Sequence, residues 1–303
     1  MDGKTLSRDL AKLLAENPDT SGYLDTRGTY WMLWRAAMDM AKRLRYPRAE
    51  ATITTVASQR DKYKLPADYL GLYMRDSSDN YFVRYYNAST YSNLAMKDEE
   101  TIFENNNRTD QAVPGGFCIT DYREAIASVT GTATADGDKA AGQCVLTDAA
   151  AAFTTYVSAG DTVHNTEDGS TGIVLSVTSA TAIVTALFDG TGNDWDAGDA
   201  YVIVPQRRQQ LAFDAPPSTA GHTVTVPYVQ RPAPVYSNYG VYPFPLDMTY
   251  ALVNYAAWLY KYRDSQPDFG DRWYRIFDKD VRLGASTLKT STSRRIKVVM
   301  KVG

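Results

Sequence analysis

Residues 168–190 read DGSTGIVLSVTSATAIVTALFDG, and this stretch decides the fold class of the region around it. Two apolar runs, GIVLSV (172–177) and TAIVTAL (181–187), lie between the turn signals Asp168-Gly169 and Asp189-Gly190. Short runs rich in β-branched residues and bounded by Asp-Gly pairs are typical of β-hairpins. The stretch therefore predicts two antiparallel strands.

The same character extends over residues 127–205, which are rich in Thr, Val, Ala, Gly and Asp and show no sustained helical period. Within them SVTGTATA (128–135) is similar to SVTSATAI (176–183), and SAGDTV (158–163) is similar to DAGDAY (196–201). Two related hairpins that close a small barrel or sandwich would explain these echoes. We predict an all-β domain over residues 127–205.

The charge of residues 127–205 differs from that of the rest of the chain. They hold ten acidic residues against the single base Lys139, a net charge of −9, whereas the whole chain of 303 residues carries −3 and the remainder therefore +6. The acidic residues are Asp136, Asp138, Asp148, Asp161, Glu167, Asp168, Asp189, Asp194, Asp196 and Asp199.

The sequence on either side predicts that this domain is inserted into a host. Residues 118–126 read as a strand that leads in, and residues 208–214 read as a strand that leads out. Removing 127–205 would leave two strands joined by a short turn, where domain insertions are tolerated. The predicted organisation is a discontinuous host of 1–126 plus 206–284, the inserted domain at 127–205, and a C-terminal extension at 285–303.

The predicted fold class is α+β, with a host that combines a helical bundle and associated strands. Apolar residues recur at helical spacing in 6–16, 27–46, 246–263 and 267–283, with Thr5 as the predicted cap of the first helix. Strands are predicted at 51–58, 71–75, 81–86 and 222–228, the second and third around a turn at 76–80. The last two helices are expected to pack together.

Composition gives expectations about the compartment. No apolar run reaches the roughly 18 residues that a transmembrane helix needs, and MDGKTLSRDL has no apolar signal-peptide segment. Cys118 and Cys144 have no metal-binding spacing. We expect both to be small buried hydrophobic residues of a protein made in a reducing cytoplasm.

Motifs for catalysis are missing from the sequence. There is no P-loop, no GxGxxG, no HExxH and no CxxC, and His164 and His222 lie outside any nucleophile motif. The run DGTGNDWDAGD (189–199) has the spaced carboxylates that hold Ca²⁺ in some loops, but it lacks the distal Glu of a helix-loop-helix site. We predict a turn there, no enzyme activity, no metal site and no cofactor.

Two segments are predicted to contact other proteins. Residues 229–245 carry four prolines and offer rings either to a neighbouring subunit or tail protein, or to the core of the chain itself. The rings are Tyr236, Tyr239, Tyr242 and Phe244. Residues 285–303 have no acids, and their alternating RIKVVMKV (295–302) suits strand addition to a partner's sheet. Nucleic-acid binding and a solvated tail are the alternatives for this extension. Its predicted contact residues are Lys289, Arg294, Arg295, Ile296, Lys297, Val298, Met300 and Lys301.

The order of the host motifs resembles a family of virion proteins. A Trp-bearing helix is followed by YKLPADYL (63–70), LAFDAPP (211–217), TVTVPY (223–228) and then Phe244-Pro245 ahead of AAWLY (256–260). This order is similar to that of the head-to-tail adaptor, or connector, proteins of tailed bacteriophages, and it spans residues 1–126 and 206–284. The inserted domain resembles small β-domains of phage structural proteins.

The resemblance implies a location and partners. It implies a ring, commonly a dodecamer, that lies beneath the portal protein in the neck of the virion, contacts tail or nozzle proteins and lets DNA pass through its channel. The C-terminal extension would dock on the portal, and the chain would be made in the cytoplasm of a bacterial host. The alternatives are a tail component that binds carbohydrate or a receptor through the inserted domain, and a cell-wall hydrolase.

Overall fold

The computed structural model describes residues 1–15, 26–73, 82–104, 112–121, 127–206, 208–236, 240–263 and 267–293, without the side chains of 104, 263 and 286–293. The chain divides into two compact units, one containing Met1–Tyr46 and Tyr242–Gly303 and the other Pro47–Val241. We call them the helical unit and the β unit. Their boundaries differ from the predicted ones at 126/127 and 205/206, and the predicted three-part organisation stays a prediction.

The described residues form six α-helices, a short 3-10 helix at Leu246–Met248 and fifteen strands. The helices are α1 (Gly3–Leu14), α2 (Thr26–Leu44), α3 (Glu99–Glu104), α4 (Phe153–Tyr156), α5 (Thr249–Arg263) and α6 (Pro267–Ser293). The strands are β1 (Arg48–Thr54), β2 (Tyr63–Lys64), β3 (Tyr69–Leu72), β4 (Arg84–Tyr86), β5 (Tyr91–Asn93), β6 (Ala95–Met96), β7 (Gly116–Asp121), β8 (Val129–Thr132), β9 (Cys144–Thr147), β10 (Thr162–Asn165), β11 (Thr171–Val177), β12 (Ala182–Phe188), β13 (Ala200–Val204), β14 (Gln209–Phe213) and β15 (Thr223–Gln230).

Four helices, α1, α2, α5 and α6, pack against one another in the helical unit. The helix α5 contacts the other three, and its residues 251–257 are all buried. Asp2 caps α1, because its carboxylate accepts a 2.7 Å hydrogen bond from the Thr5 amide, so the predicted Thr5 cap is wrong. The helix α6 continues past its predicted end at Leu283 to Ser293, and the first part of the predicted extension is therefore helical.

Two sheets of the β unit share one hydrophobic core. One has the strand order β1-β15-β4-β5 with β3 also on β15, and the other has the order β2-β14-β7-β6. Buried side chains from both sheets form the core, among them Tyr63, Phe117, Phe213 and Val224. The strands β3 and β4, which the sequence predicted on either side of a turn at 76–80, both pair with β15. As a result β15 is the central strand of its sheet.

The third sheet lies within residues 127–206, which we call the barrel. Its strand order is β8-β13-β10-β11-β12-β9, with every pair antiparallel, and β11 and β12 confirm the hairpin predicted from 172–177 and 181–187. A bridge between Ala135 and Thr147 brings the two ends of the sheet together, so the sheet is a partly closed barrel. Its own core includes Phe153, Trp195 and Tyr201.

One of the two sequence echoes is a structural repeat. In SAGD (158–161) Asp161 accepts a 2.8 Å hydrogen bond from the amide at the first position, and in DAGD (196–199) Asp199 accepts the equivalent bond at 2.9 Å. The third residue of each turn, Gly160 or Gly198, has a positive φ of 95° or 107°, which glycine adopts without strain. These two turns lead into β10 and β13, which are neighbours in the sheet.

The strands that lead into and out of the barrel are neighbours. Antiparallel pairing of β7 and β14 places Asp121 opposite Gln209 and Phe117 opposite Phe213. The barrel therefore leaves and rejoins one sheet at adjacent strands, as the flanking sequence predicted. Cys118 in β7 and Cys144 in β9 are buried free thiols, which also agrees with the sequence.

The predicted fold class, a helical bundle with associated strands and an inserted β-domain, is wrong. Three sheets organise most of the described chain, and the strands outside the barrel have a core of their own. The periodic helices dominate the sequence pattern, whereas β2, β4, β5 and β6 have only two or three residues each. A strand of that length is too short to show a period of two, and its contribution to the core is invisible in the sequence.

Candidate functional site

The helical unit exposes several large apolar side chains. Their exposed fractions lie between 43% and 71%, and they are Trp31, Leu246, Tyr250, Tyr262, Phe269 and Leu283. Along α6, Phe269 and Leu283 flank the half-buried Ile276 at steps of seven residues, so the three share one face of the helix. We call these three residues the α6 stripe. An apolar stripe of this kind is typical of a surface that another subunit covers.

Basic side chains form rows on the first two helices. Lys4, Arg8 and Lys12 recur every four residues on the exposed side of α1, and Arg35 and Lys42 are exposed on α2. The Arg35 guanidinium lies 5.9 Å from the centroid of the exposed Trp31 ring, a cation–π contact. These basic rows are suited to an acidic partner. The repeat of four residues in α1 is a signal that the sequence itself carries, although these basic residues are not among the predicted contact residues.

One end of the barrel is acidic. The Ala197 amide donates a 2.8 Å hydrogen bond to Asp136, and the Asn193 amide donates one of 2.9 Å to Asp168, so the loops at this end are tied together. Burial and then the negative charges of its neighbours, Asp199 first, raise the pKa of Asp196. The loops carry eight carboxylates: Asp136, Asp138, Glu167, Asp168, Asp189, Asp194, Asp196 and Asp199. We call this region the acidic end.

Residues 189–199, the candidate Ca²⁺ loop, form turns between β12 and β13, as the sequence predicted. The Asn193 side chain bonds both the amide and the carbonyl of Gly190, at 2.9 and 3.0 Å. Burial alone would raise the pKa of Asp168, but hydrogen bonds from Ser170 and from backbone amides of the 189–199 loop lower that pKa. Among the described residues, no group of three or more His, Cys, Asp or Glu side chains is arranged to hold a metal ion.

Most predicted contact residues of the C-terminal extension lie outside the described part of the chain, and their role stays a prediction. They are Arg294, Arg295, Ile296, Lys297, Val298, Met300 and Lys301. Lys289 lies in the last turns of α6, where only the backbone is described.

The aromatic segment before α5 packs within the chain. Tyr236, Tyr242 and Phe244 expose only 5%, 3% and 8% of their surface, and Tyr239 lies outside the described residues. The Tyr236 ring lies 5.8 Å from that of Phe188. The predicted subunit or tail contact through the three described rings is thus replaced by the alternative, packing in the chain's own core. Burial of the rings leaves little surface for a second protein.

The two histidines lie in or next to strands of the β unit. His164 lies in β10, and Nδ1 of His222, one residue before β15, lies 2.6 Å from the Tyr85 hydroxyl. Tyr85 exposes 1% of its surface, and burial raises the pKa of its phenol. The contact ties β4 to the start of β15.

No protein-family model and no curated protein sequence matches the chain. The resemblance to head-to-tail adaptors therefore depends on the order of the motifs in the sequence. Within the residues that the structure describes, no helix is both long and apolar enough to cross a membrane.

Proposed function

We propose that the chain is a structural virion protein that forms a ring adaptor between the portal vertex of a phage head and the tail. The observation that carries the proposal is the α6 stripe, where Phe269 and Leu283 expose 71% and 58% of their surface. Burying such side chains against a second copy is favourable by about 25 cal/mol per Å² of apolar area. The proposal includes no catalytic role and no cofactor.

The charge distribution supports head-to-tail contacts between copies. The basic rows on α1 and α2 and the acidic end of the barrel are different surfaces of the same chain, and they attract each other when they lie on neighbouring copies. Contacts between unlike surfaces generate closed rings or open filaments, whereas contacts between like surfaces stop at a dimer. A ring fits this pattern.

The resemblance of the sequence motifs to phage connectors supplies the rest of the proposal. This family suggests a twelve-fold ring with a channel for DNA. Its partners would be the portal protein above and tail or nozzle proteins below. On this proposal the chain lies in the virion neck. Residues 294–303 contain most of the basic and apolar residues proposed to dock on the portal.

Mass photometry of the full chain, alone and mixed with portal protein, tests the proposal. We expect multi-subunit species that increase when portal is added and decrease as salt rises, because salt screens charges beyond about 10 Å at 0.1 M. The double variant Phe269→Ser with Leu283→Ser should reduce assembly. The matched control, Val56→Ser with Val113→Ser, removes two exposed apolar side chains of the β unit and should assemble normally. A chain that stays monomeric with and without portal would refute the proposal.

A further inference from the structure

The barrel and the two other sheets of the β unit have separate hydrophobic cores. The barrel core contains Trp195 and Tyr201, whereas the other two sheets, which we call the paired sheets, share the core around Phe213 and Val224. In the part of the chain that the structure describes, no barrel strand pairs with a strand of the paired sheets. The barrel is therefore a body of its own, which other contacts must hold in place.

The junction between the barrel and the paired sheets contains a cleft instead of a continuous apolar core. The cleft has a volume of about 210 Å³, and it is lined by Lys64, Leu65 and Ala67 on one side and by residues 154–158 of the barrel on the other. Two domains that do not share a large apolar interface are expected to move relative to each other. Whether the barrel moves thus depends on the polar contacts across this junction.

The side chain of Arg231 crosses the junction. Its Nη2 donates hydrogen bonds to the carbonyl oxygens of Ala67 and Ala159, at 3.0 and 3.2 Å, and its Nη1 donates one to the side-chain oxygen of Gln206. Ala67 lies between β2 and β3 of the paired sheets, whereas Ala159 and Gln206 belong to the barrel. The Arg231 amide also donates a 2.6 Å hydrogen bond to the carbonyl oxygen of Asp68. The backbone of Arg231 is thus fixed on the paired sheets, and its guanidinium binds both bodies.

The barrel holds its two acceptors for Arg231 through the fully buried Asp161. Oδ2 of Asp161 accepts a 2.8 Å hydrogen bond from the Ser158 amide, next to Ala159, and Oδ1 accepts one of 2.9 Å from the Gln206 amide. Burial lowers the pKa of Arg231, and the negative charge of Asp161 opposes this effect. A buried guanidinium that loses its acceptors is costly. Arg231 is therefore satisfied only while the barrel stays in place.

We propose that Arg231 is a latch that holds the barrel in one orientation on the paired sheets, and that the barrel moves as a rigid body when this latch opens. The rigid guanidinium presents its donors in a fixed geometry, so its hydrogen bonds select the orientation in which Ala67, Ala159 and Gln206 surround it. The barrel keeps its shape during the movement because its six strands and its core are its own.

The latch goes beyond the proposed adaptor function and does not depend on ring assembly. Its contacts all lie within one chain, so the orientation of the barrel is a property of the single copy. The latch would fix the direction in which the acidic end of the barrel points.

Double electron–electron resonance on the full chain measures the orientation. Nitroxides attached to keto amino acids at Tyr91 of β5 and Val145 of the barrel, which expose 67% and 41% of their surface, leave the two cysteines unmodified. Wild type should give one narrow distance distribution. Arg231→Met keeps an aliphatic stem but removes the donors, so the population outside the wild-type peak should rise about tenfold or more, the factor that one hydrogen bond of a charged group contributes.

Two further variants and one further measurement complete the test. Arg48→Met removes an exposed arginine of β1 and should match wild type, whereas Gln206→Leu removes the acceptor of Nη1 and should broaden the distribution even if Arg231→Met fails to fold. Hydrogen exchange of peptides from 171–188 and 223–229 should stay slow in both latch variants, because each body keeps its own fold. A distribution as narrow as that of wild type in a folded latch variant would overturn the proposal. Fast exchange throughout 171–188 would also overturn it, since the barrel would then unfold instead of moving.

Discussion

Replacing Gly172 with alanine should open the barrel at the β11–β12 hairpin, which the sequence predicts. Gly172 lies in β11 between β10 and β12, opposite Val163 and Leu187. A Cβ atom added there would lie 1.8 Å from the carbonyl oxygen of Ala186 and 2.8 Å from its carbonyl carbon, both backbone atoms. Because backbone cannot rotate away as a side chain does, the strands must separate until the first distance exceeds 3.0 Å.

The cost of this separation is large for a single methyl group. Hydrogen bonds between strands weaken steeply beyond about 3.2 Å, so the β11–β12 ladder cannot absorb the shift without losing bonds. Overpacking of a well-packed site costs typically 1–3 kcal/mol, and we expect about 3 kcal/mol or more here because the clash is with backbone. Gly71 in β3 is the matched control: no atom lies within 4 Å of an added Cβ. Gly71→Ala should be neutral or stabilising by about 0.5 kcal/mol.

Urea unfolding of the full chain, combined with hydrogen exchange of peptides from residues 171–188, measures both effects. Gly172→Ala should lower the unfolding midpoint and accelerate exchange in the β11–β12 hairpin, whereas Gly71→Ala should leave both near the wild-type values. If Gly172→Ala exchanges as slowly as wild type, β12 does not approach β11 as closely as the structure has it, and the packing argument for the barrel fails.

Three further predictions concern the barrel, the second sheet and the C-terminal extension. Trp195→Phe removes the 2.9 Å hydrogen bond from the indole N–H to the buried Thr185 hydroxyl, so it should lower the free energy of unfolding by about 1–3 kcal/mol in urea titrations. An unchanged free energy of unfolding would argue against this contact. Burial alone would raise the pKa of Asp214, but hydrogen bonds from Lys97 and backbone amides lower it, so the ionised carboxylate stabilises the fold above its ordinary pKa of about 4. This stability is lost as pH falls through the lowered pKa. In thermal melts the wild type should therefore have a higher melting temperature than Asp214→Asn, and this difference should shrink below about pH 4. A difference that grows below that pH would show that the pKa is raised and not lowered. Truncation after Ser293 should leave the melting temperature unchanged but abolish co-sedimentation with portal-bearing heads, and retained co-sedimentation would place the anchor elsewhere.

Local patterns in the sequence predicted local elements well. The alternation and Asp-Gly turns around 172–187 gave the hairpin of β11 and β12, and the echo of SAGD and DAGD corresponds to two equivalent turns. The flanking runs gave the neighbouring strands β7 and β14. In each case the information lies within a few consecutive residues, because turn chemistry and side-chain alternation are local properties.

Features that depend on distant residues were not predicted. The sequence predicted the longer strands outside the barrel but not the two sheets that they form, because the strands of two to four residues have no readable period and because β15 takes its partners from three separate segments. The burial of Tyr236 and Tyr242 likewise depends on neighbours that the sequence does not specify.

The most direct test of the adaptor function is cryo-electron microscopy of portal-bearing heads from the genome that encodes this chain, with and without the purified full chain. With the full chain we expect an added ring of density with rotational symmetry at the single portal vertex, and with the Phe269→Ser, Leu283→Ser variant we expect no such ring. Heads whose portal vertex looks the same in both samples, at a chain concentration that saturates assembly, would contradict the adaptor function.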